Sequence, residues 1–196
     1  MDDDLGDAMR IIAGEARGRR LTAPAGDETR PSSDKLRGAL FNILAQRVWD
    51  AHVLDLFGGT GAMALEALSR GARRAVIVDK SFEAVRCIRC NVEAVLPEGE
   101  RDRDMVIQAD YRRAIERVDP NDPFTMVVLD PPYRMRDAYA DALTRLRGAG
   151  LLAQDAVMIL EYSQDDDIAL PEGFICYDER RYGAARIRLV READSE

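Results

Sequence analysis

The sequence predicts an α/β fold with a mostly parallel sheet of the doubly wound, Rossmann-like type, followed by an antiparallel hairpin. Three observations predict it. Apolar runs typical of strands alternate with helical stretches from residue 52 to residue 162. A glycine-rich turn at residues 58–61 joins the first strand to a helix. Near the C-terminus, two β-rich runs flank Tyr182-Gly183, which is typical of a hairpin.

The N-terminal region precedes the predicted sheet. Residues 10–13 and 19–22 fit a short hairpin or extended arm, and residues 27–33 a polar loop with Pro31. A helix is predicted from Asp34 to Gln46. Four apolar residues share one face of this helix and are expected in the core: Leu36, Leu40, Phe41 and Leu44.

The remaining elements follow in alternation. Predicted strands cover residues 52–57, 74–79, 104–109, 124–130 and 156–162, and predicted helices cover residues 62–70, 82–96, 111–118 and 137–148. The C-terminal hairpin is predicted from Phe174 to Arg180 and from Ala184 to Arg191. Because ligands of such sheets bind at the carboxyl ends of the strands, candidate site residues are sought there.

The first candidate motif is the glycine turn. The strand from His52 to Phe57 leads through Gly58-Gly59-Thr60-Gly61 into a helix that Gly71 ends. Glycines let the backbone approach a ligand, and the free amides at a helix start favour an anion. The stretch from Gly59 to Ala64 also fits the dinucleotide pattern G-x-G-x-x-G/A, which is weak support by itself.

Asp79 strengthens the prediction of a nucleoside-bearing cofactor. It ends the second strand, 20 residues after Gly59. A carboxylate in this position can accept hydrogen bonds from both hydroxyls of a ribose. The two features together do not decide between NAD and S-adenosylmethionine.

The second candidate motif is Asp130-Pro131-Pro132-Tyr133, which follows the apolar strand from Phe124 to Leu129. Two consecutive prolines remove two amide donors, so the strand must end there. An acidic side chain, exposed carbonyls and an aromatic ring then lie together at a strand end. The combination suits a planar ring that carries an amino group, although Pro-Pro would also give a plain strand-ending turn.

These residues resemble a known family. Residues 55–61 resemble the D-x-F-x-G-x-G cofactor loop of amino-group S-adenosylmethionine methyltransferases, and residues 130–133 resemble their (D/N)-P-P-(Y/F) motif. Further stretches resemble the bacterial small-subunit rRNA (guanine-N2)-methyltransferases, the RsmD family: Arg10 to Gly14, Arg17 to Arg19, Arg30 to Arg37, Ala39 to Asn42 and Leu65 to Ala72. The resemblance runs from about Met9 to about Arg191. It departs modestly at Gly58-Gly59-Thr60-Gly61, where A-G-S-G is more usual, and at Ser32-Ser33, which replaces a threonine pair.

The resemblance implies a methyltransferase fold with seven strands and S-adenosylmethionine as the cofactor. The implied catalytic residues are Asp130, Pro131, Pro132 and Tyr133. The implied cofactor-binding residues are Asp55, Phe57, Gly58, Gly59, Gly61, Asp79, Lys80, Asp110 and Tyr111. Asp110 could accept the adenine amino group or act as a helix N-cap, and one role does not exclude the other.

The implied substrate is a guanine in small-subunit (16S) ribosomal RNA, either free or in the assembled small subunit. Residues 10–37 hold seven arginines or lysines against four acids, although the whole chain carries a net charge of −8. A basic arm on an acidic body can bind RNA locally, and a merely solvated arm is the alternative. The expected RNA-binding residues are Arg10, Arg17, Arg19, Arg20, Arg30 and Arg37.

Length and composition favour one globular domain. We expect an acidic extension at 1–9, a basic arm and first helix start at 10–37, and a catalytic domain at 38–196. The absence of a long apolar run or signal-like start predicts a cytoplasmic protein without a membrane segment, and a monomer is the default. Cys87 and Cys90 have C-x-x-C spacing in a predicted helix, but no second pair follows, so no metal is expected.

Three alternatives stay open. Another amino methyltransferase, acting on DNA adenine or a protein glutamine, would share Asp130 to Tyr133, whereas the arginine-rich arm favours RNA. An NAD-dependent oxidoreductase would share the glycine turn but leaves Pro131 and Pro132 unexplained. A non-catalytic RNA-binding module would not need the complete set of site residues.

Overall fold

The structure is a computed structural model that describes residues 9–23 and 34–193, the side chains of residues 102–105 excepted. The predicted loop at 27–33, Arg30 and most of the acidic extension therefore lie outside the described residues. None of the described helices has the length and apolar character that a membrane span requires.

The helices and strands follow the predicted alternation. The helices are α1 (Asp34–Leu44), α2 (Ala62–Ser69), α3 (Phe82–Val95), α4 (Tyr111–Ile115) and α5 (Asp137–Gly148), with short 3-10 helices at Ala45–Val48 and Glu98–Arg103. The strands are β1 (His52–Asp55), β2 (Arg74–Asp79), β3 (Asp104–Gln108), β4 (Phe124–Leu129), β5 (Leu152–Ser163), β6 (Phe174–Tyr182) and β7 (Ala185–Glu192).

The strands form one seven-stranded sheet in the order β3-β2-β1-β4-β5-β7-β6. Strands β1 to β5 are parallel, and β7 pairs antiparallel with both β5 and β6. The order of the sheet reverses between β1 and β4, so their carboxyl ends flank the crevice in which ligands of doubly wound sheets bind. The predicted fold class is confirmed.

Two apolar layers cover the sheet. Helices α1, α2 and α3 and the N-terminal arm pack on one face, against residues such as Val53 and Ile159. Helices α4 and α5 pack on the other face, against residues such as Leu54 and Leu160. Because neighbouring residues of a strand point to opposite faces, the central parts of the parallel strands are mostly apolar on both sides, as a sheet covered on both faces requires.

Several predicted boundaries differ from the structure by one to four residues, and three of these differences have an identifiable local cause. The first strand ends at Asp55 instead of Phe57, because the chain turns into the glycine loop. The helix predicted at 111–118 ends at Ile115, where Arg117 bonds to the Ala114 carbonyl and Pro120 follows shortly. Strand β5 begins at Leu152, four residues before the predicted start. The apolar pattern did not reveal this first part because it is more exposed and carries polar residues.

Candidate functional site

Acidic residues stand at the carboxyl ends of four adjacent strands. Asp79 ends β2, Asp55 ends β1, Asp130 follows β4, and Glu161 lies near the end of β5. Their strands are neighbours in the sheet, in that order. The predicted cofactor and catalytic motifs therefore lie at one edge of the sheet, together with Glu161, for which no role was predicted.

The glycine turn is held in a shape that glycine favours. Gly59 has a φ of +55°, and a side chain there would meet no atom within 4 Å, so the backbone is open toward a ligand. The Gly58 amide donates to the Val78 carbonyl (2.8 Å), and the Gly61 amide donates to the Gly58 carbonyl (2.6 Å). Helix α2 starts directly afterwards, at Ala62, and presents its first amides at this turn.

Asp79 fastens the glycine turn to β2. Its Oδ2 accepts from the Gly59 amide (2.9 Å), and its Oδ1 accepts from the Ser81 amide (2.8 Å). Each carboxylate oxygen has a second lone pair, so both retain the capacity to accept a ribose hydroxyl. Lys80 and Phe82 are exposed beside it, and 61% of the Phe82 surface is accessible.

Asp55 is a buried acid beneath this turn. It is 2% exposed, and its Oδ1 accepts from the Phe57 amide at 3.3 Å. Burial is the main cause that raises the pKa of Asp55 to about 7; the hydrogen bond from the Phe57 amide opposes this shift, and the nearby Asp79 contributes to it. A cationic group brought to this edge would favour the ionised form of Asp55, which suits a positively charged cofactor.

Asp110, Tyr111 and Phe57 form the next wall of the site. Asp110 caps α4, because its Oδ1 accepts from the Arg112 amide at 3.0 Å, and the predicted N-cap is therefore present. The Tyr111 side chain is buried: Tyr111 is 2% exposed, and its hydroxyl donates to Asp141 (2.6 Å). Its hydroxyl is therefore occupied, and its ring supports Phe57, with 5.3 Å between the ring centroids.

The turn from Asp130 to Tyr133 has backbone carbonyls that take no part in the hydrogen bonds between the strands. The Pro132 carbonyl accepts from the Met135 amide (2.7 Å) and closes a turn. Among residues 9–23 and 34–193, none donates a hydrogen bond to the Pro131 carbonyl. The Tyr133 ring is 59% exposed, as a stacking surface requires.

Asp130 is exposed but lies in an unfavourable setting for negative charge. Desolvation by surrounding protein raises the pKa of Asp130 well above its usual range, and the carboxylates of Glu161 and Asp55 raise it further. A carboxyl group of this kind is a stronger proton acceptor than an ordinary aspartate once it is ionised.

These residues fit S-adenosylmethionine. The open backbone at Gly59 can approach a ligand, and the Asp79 oxygens can accept from ribose hydroxyls. The carboxylates along the edge can stabilise a sulfonium and an ammonium charge. No cluster of three His, Cys, Asp or Glu side chains suited to a metal ion occurs in the described part of the chain. Cys87 instead donates to the Thr22 carbonyl at 3.0 Å.

The N-terminal arm is docked on the glycine turn and the helices around it. Its hairpin is present, with Ile11 bonded to Arg19 (2.9 Å) and Arg10 bridged to Arg20. Buried Glu66 on α2 accepts from the amides of Ile12 (2.8 Å) and Ala13 (3.1 Å). Glu66 lay in a stretch quoted for the resemblance, but its role depends on contacts more than 50 residues apart and was missed.

Ser69 and Asn91 complete the docking of the arm. The Ser69 hydroxyl donates to the Ala13 carbonyl at 2.7 Å, and Gly14 packs so closely on Ser69 that a Cβ would lie 1.8 Å from its carbonyl oxygen. Asn91 on α3 bonds to the Thr22 amide (2.8 Å) and to the Thr60 carbonyl (2.9 Å). The arm is thereby linked directly to the cofactor turn.

The arginines predicted to bind RNA have different settings. Arg17, Arg19 and Arg20 are exposed, and Arg10 is 58% exposed and paired with Asp34 (3.4 Å). Arg37 requires a correction, because its side chain is 0% exposed. It pairs with Asp34 (2.8 Å) and Glu66 (3.6 Å) and bonds to the Arg10 carbonyl, so it holds the arm in place and cannot contact RNA.

Comparisons with known proteins agree with this arrangement. The chain is 31% identical over 190 residues to ribosomal RNA small subunit methyltransferase D of Escherichia coli (strain K12), with 96% of this chain and 92% of the relative covered. It is 33% identical over 188 residues to YlbH of Bacillus subtilis (strain 168), with 94% of this chain and 99% of the relative covered. The solved structure of yhhF from Escherichia coli has a TM-score of 0.81 and 29% identity, over 94% of this chain and 98% of that one.

A family model described as "Conserved hypothetical protein 95" matches residues 9–191, which include the arm, the glycine turn and the Asp130 to Tyr133 turn. The match includes all seven strands, except for the last residue of β7. This match covers nearly the whole chain, and two relatives are more than 30% identical to it over nearly all of its length. The chain therefore belongs to this family, and it is similar to ribosomal RNA small subunit methyltransferase D.

Proposed function

We propose that the protein transfers a methyl group from S-adenosylmethionine to the exocyclic N2 amine of a guanine in small-subunit ribosomal RNA. The observation that carries the proposal is the turn after β4, which brings the exposed Asp130 and Tyr133 together with the buried Pro131, whose carbonyl accepts no hydrogen bond from the described residues. The relative from Escherichia coli supports it, since its name specifies methylation of small-subunit ribosomal RNA.

The chemical problem is the weak nucleophilicity of the guanine amine, whose lone pair is delocalised into the ring. S-adenosylmethionine supplies a methyl group that its sulfonium already activates. Asp130 and the Pro131 carbonyl accept the two N–H bonds of the amine, which directs the nitrogen lone pair toward the methyl group, and Tyr133 stacks on the base. Such alignment contributes up to about 7–11 kcal/mol to lowering a barrier.

The proton that the amine loses needs an acceptor. Asp130 is suited to this role because its pKa is raised, by desolvation first and then by Glu161 and Asp55. The target base must also leave its stack to enter the crevice, which costs a few kcal/mol.

RNA contacts are assigned to the exposed arginines of the arm: Arg10, Arg17, Arg19 and Arg20. Residues 10–37 form a locally basic segment, whereas the whole chain has a net charge of −8. We expect binding that is local and selective, because most of the surface repels phosphate. Free small-subunit RNA and the assembled subunit are both candidate substrates, and we propose that the enzyme acts as a cytoplasmic monomer.

A substrate panel tests the proposal. Labelled S-adenosylmethionine is incubated with the protein and, in separate reactions, with unmodified small subunits, naked small-subunit RNA, large subunits, duplex DNA and total protein. We expect label in the small-subunit RNA, free or assembled. Label confined to DNA or to protein would support the other amino methyltransferases and contradict the proposal. Calorimetry with S-adenosylmethionine and NAD as separate ligands checks the cofactor.

A further inference from the structure

Glu161 is the remaining acid at the edge of the sheet that the proposed chemistry has not used. Strands β4 and β5 pair in parallel with Leu129 opposite Leu160, so Asp130 and Glu161 are the next pair along the two strands. Neighbouring strands lie about 4.7–4.9 Å apart. The two acids are therefore adjacent at the carboxyl edge.

Both side chains leave the sheet on the same face. Val128 and Ile159 pack in the layer of α1, α2 and α3, whereas Leu129 and Leu160 pack in the layer of α4 and α5. Because side chains alternate along a strand, the next residues, Asp130 and Glu161, both point to the side of the glycine turn and the arm.

The backbone of Glu161 is fixed from the other side. The buried Tyr139 of α5 donates its hydroxyl to the Glu161 carbonyl at 2.5 Å, which holds this residue at a constant place beside Asp130. Burial raises the pKa of Tyr139, and Asp130, Glu161 and Asp166 raise it further, so this hydroxyl keeps its proton. Tyr139 is therefore a permanent donor here.

We propose that Glu161 is a positioning residue that shares one proton with Asp130 and thereby sets how strongly Asp130 accepts the hydrogen bond and the proton of the target amine. The inference rests on the proposed transfer at Asp130. Two carboxylates on adjacent residues of neighbouring strands resist simultaneous ionisation, so we expect them to titrate as a pair.

The pair of carboxyl groups can accept the proton that the target amine loses. The new carbon–nitrogen bond forms as the carbon–sulfur bond of the sulfonium breaks, and the electron pair of that bond stays on sulfur. One N–H proton leaves the methylated amine for Asp130, is shared with Glu161, and is released to water. No further reactant is needed.

Other groups face the pair from the neighbouring elements. Asp55 lies at the end of β1, Tyr133 follows Asp130, and Asp166 lies beyond β5, where it is ion-paired with Arg136. Asp55 raises the pKa of Asp130 less than Glu161 does. The exposed Asp165, in the turn after β5, serves as a nearby control that carries the same charge.

The first test is a carbon NMR titration of the carboxyl groups in the wild-type protein, without RNA or cofactor. We expect the Asp130 and Glu161 signals to show the same two titration steps. Separate, single-step titrations would overturn the proposal. This measurement needs no substitution and no activity, so it remains decisive if a variant fails to fold.

The second test is the pH profile of single-turnover methyl transfer. Transfer requires ionised Asp130, so Glu161→Gln, which removes the repulsion, moves the acid limb of the profile to lower pH by about one unit. Glu161→Asp keeps the charge and leaves the limb close to its wild-type place, as does Asp165→Asn. An unchanged limb in Glu161→Gln overturns the proposal, whereas absence of transfer by the wild type at every pH overturns the proposed function instead.

Discussion

At the residue scale, the account depends on carboxylates whose surroundings differ. Asp79 is tied by two backbone amides, Asp55 is buried, and Asp130 is exposed but crowded by like charges. These settings separate the roles that we assign: Asp79 for holding a ribose, and Asp130 for meeting the amine. Each role predicts a different defect when the side chain is changed.

Asp130→Asn keeps the size and one acceptor oxygen, so the fold and cofactor affinity should survive. The substitution removes the negative charge that faces the amine, and charge-assisted hydrogen bonds are roughly twice as strong as neutral ones. We expect single-turnover transfer to slow by about 30- to 150-fold, equivalent to about 2–3 kcal/mol. The measurement uses saturating cofactor and small subunits, and a rate close to that of the wild type would mean that Asp130 merely ends a strand.

Asp79→Ala should weaken S-adenosylmethionine binding in calorimetry. Two ribose hydrogen bonds to an ionised acceptor are lost, each worth about 1–3 kcal/mol, so a loss of at least about 30-fold in affinity is expected. The Gly59 amide also loses its partner. Glu83→Ala removes the same charge from a nearby exposed position and should bind normally. Equal affinities in the two variants would remove Asp79 from the cofactor site.

At the scale of elements, the arm and the glycine turn form one unit. Glu66, Ser69 and Asn91 bond to the arm backbone, and Asn91 also bonds to the Thr60 carbonyl within the turn. A basic arm docked in this way can present its arginines at a fixed distance from the cofactor. Two predictions separate its docking from its charge.

Gly14→Ala should destabilise the docked arm. Its φ is +87°, and the new Cβ would overlap the Ser69 carbonyl oxygen. Gly18→Ala is the matched control, since its φ is +83° but its Cβ would meet nothing within 4 Å. Backbone strain is common to both variants and costs of order 1–3 kcal/mol. We expect a lower Tm and faster amide exchange in the arm for Gly14→Ala than for Gly18→Ala, and equal behaviour would contradict the docking.

Neutralising Arg17, Arg19 and Arg20 together should weaken RNA binding without changing cofactor affinity. Each phosphate contact contributes about 0.7–0.9 to the slope of log affinity against log salt, so the slope should fall by up to about three contacts. A control variant neutralises Arg112, Arg113 and Arg117, on or just after α4 on the opposite face. If both variants keep the wild-type slope, the arm is only a solvated surface.

Local patterns could be predicted from the sequence, whereas packing across the chain could not. The glycine turn, Asp79 and the Asp130 to Tyr133 turn are short motifs whose chemistry lies in consecutive residues, and they lie at one edge as expected. Arg37 was assigned to the RNA surface because charge usually means exposure. Its spacing from Leu40, Phe41 and Leu44 nevertheless follows the buried stripe of α1, and that periodicity could have revealed its burial.

Glu161 was missed for a related reason. It follows a long apolar run inside the strand predicted at residues 156–162, and it was given no role of its own. An acid at the carboxyl end of a parallel strand is the same signal that identified Asp55, Asp79 and Asp130. Its partnership with Asp130 depends on the order of β4 and β5 in the sheet, which the sequence does not state.

At the scale of the whole molecule, one sheet separates two tasks. Its carboxyl edge carries the proposed cofactor and amine sites, and one of its faces carries the arm that is proposed to bind RNA. The overall charge of −8 leaves the exposed arginines of the arm as a local basic surface. Glu66, Ser69 and Asn91 connect the arm to the elements that form this edge.

The chemical identity of the product tests the central claim most directly. Unmodified small subunits are incubated with the protein and labelled S-adenosylmethionine, and the RNA is digested and mapped by mass spectrometry. The account predicts N2-methylguanosine in the small-subunit RNA, with much slower formation in Asp130→Asn. Label in N6-methyladenosine or in another nucleoside, or no transfer by a protein that binds the cofactor, would contradict it.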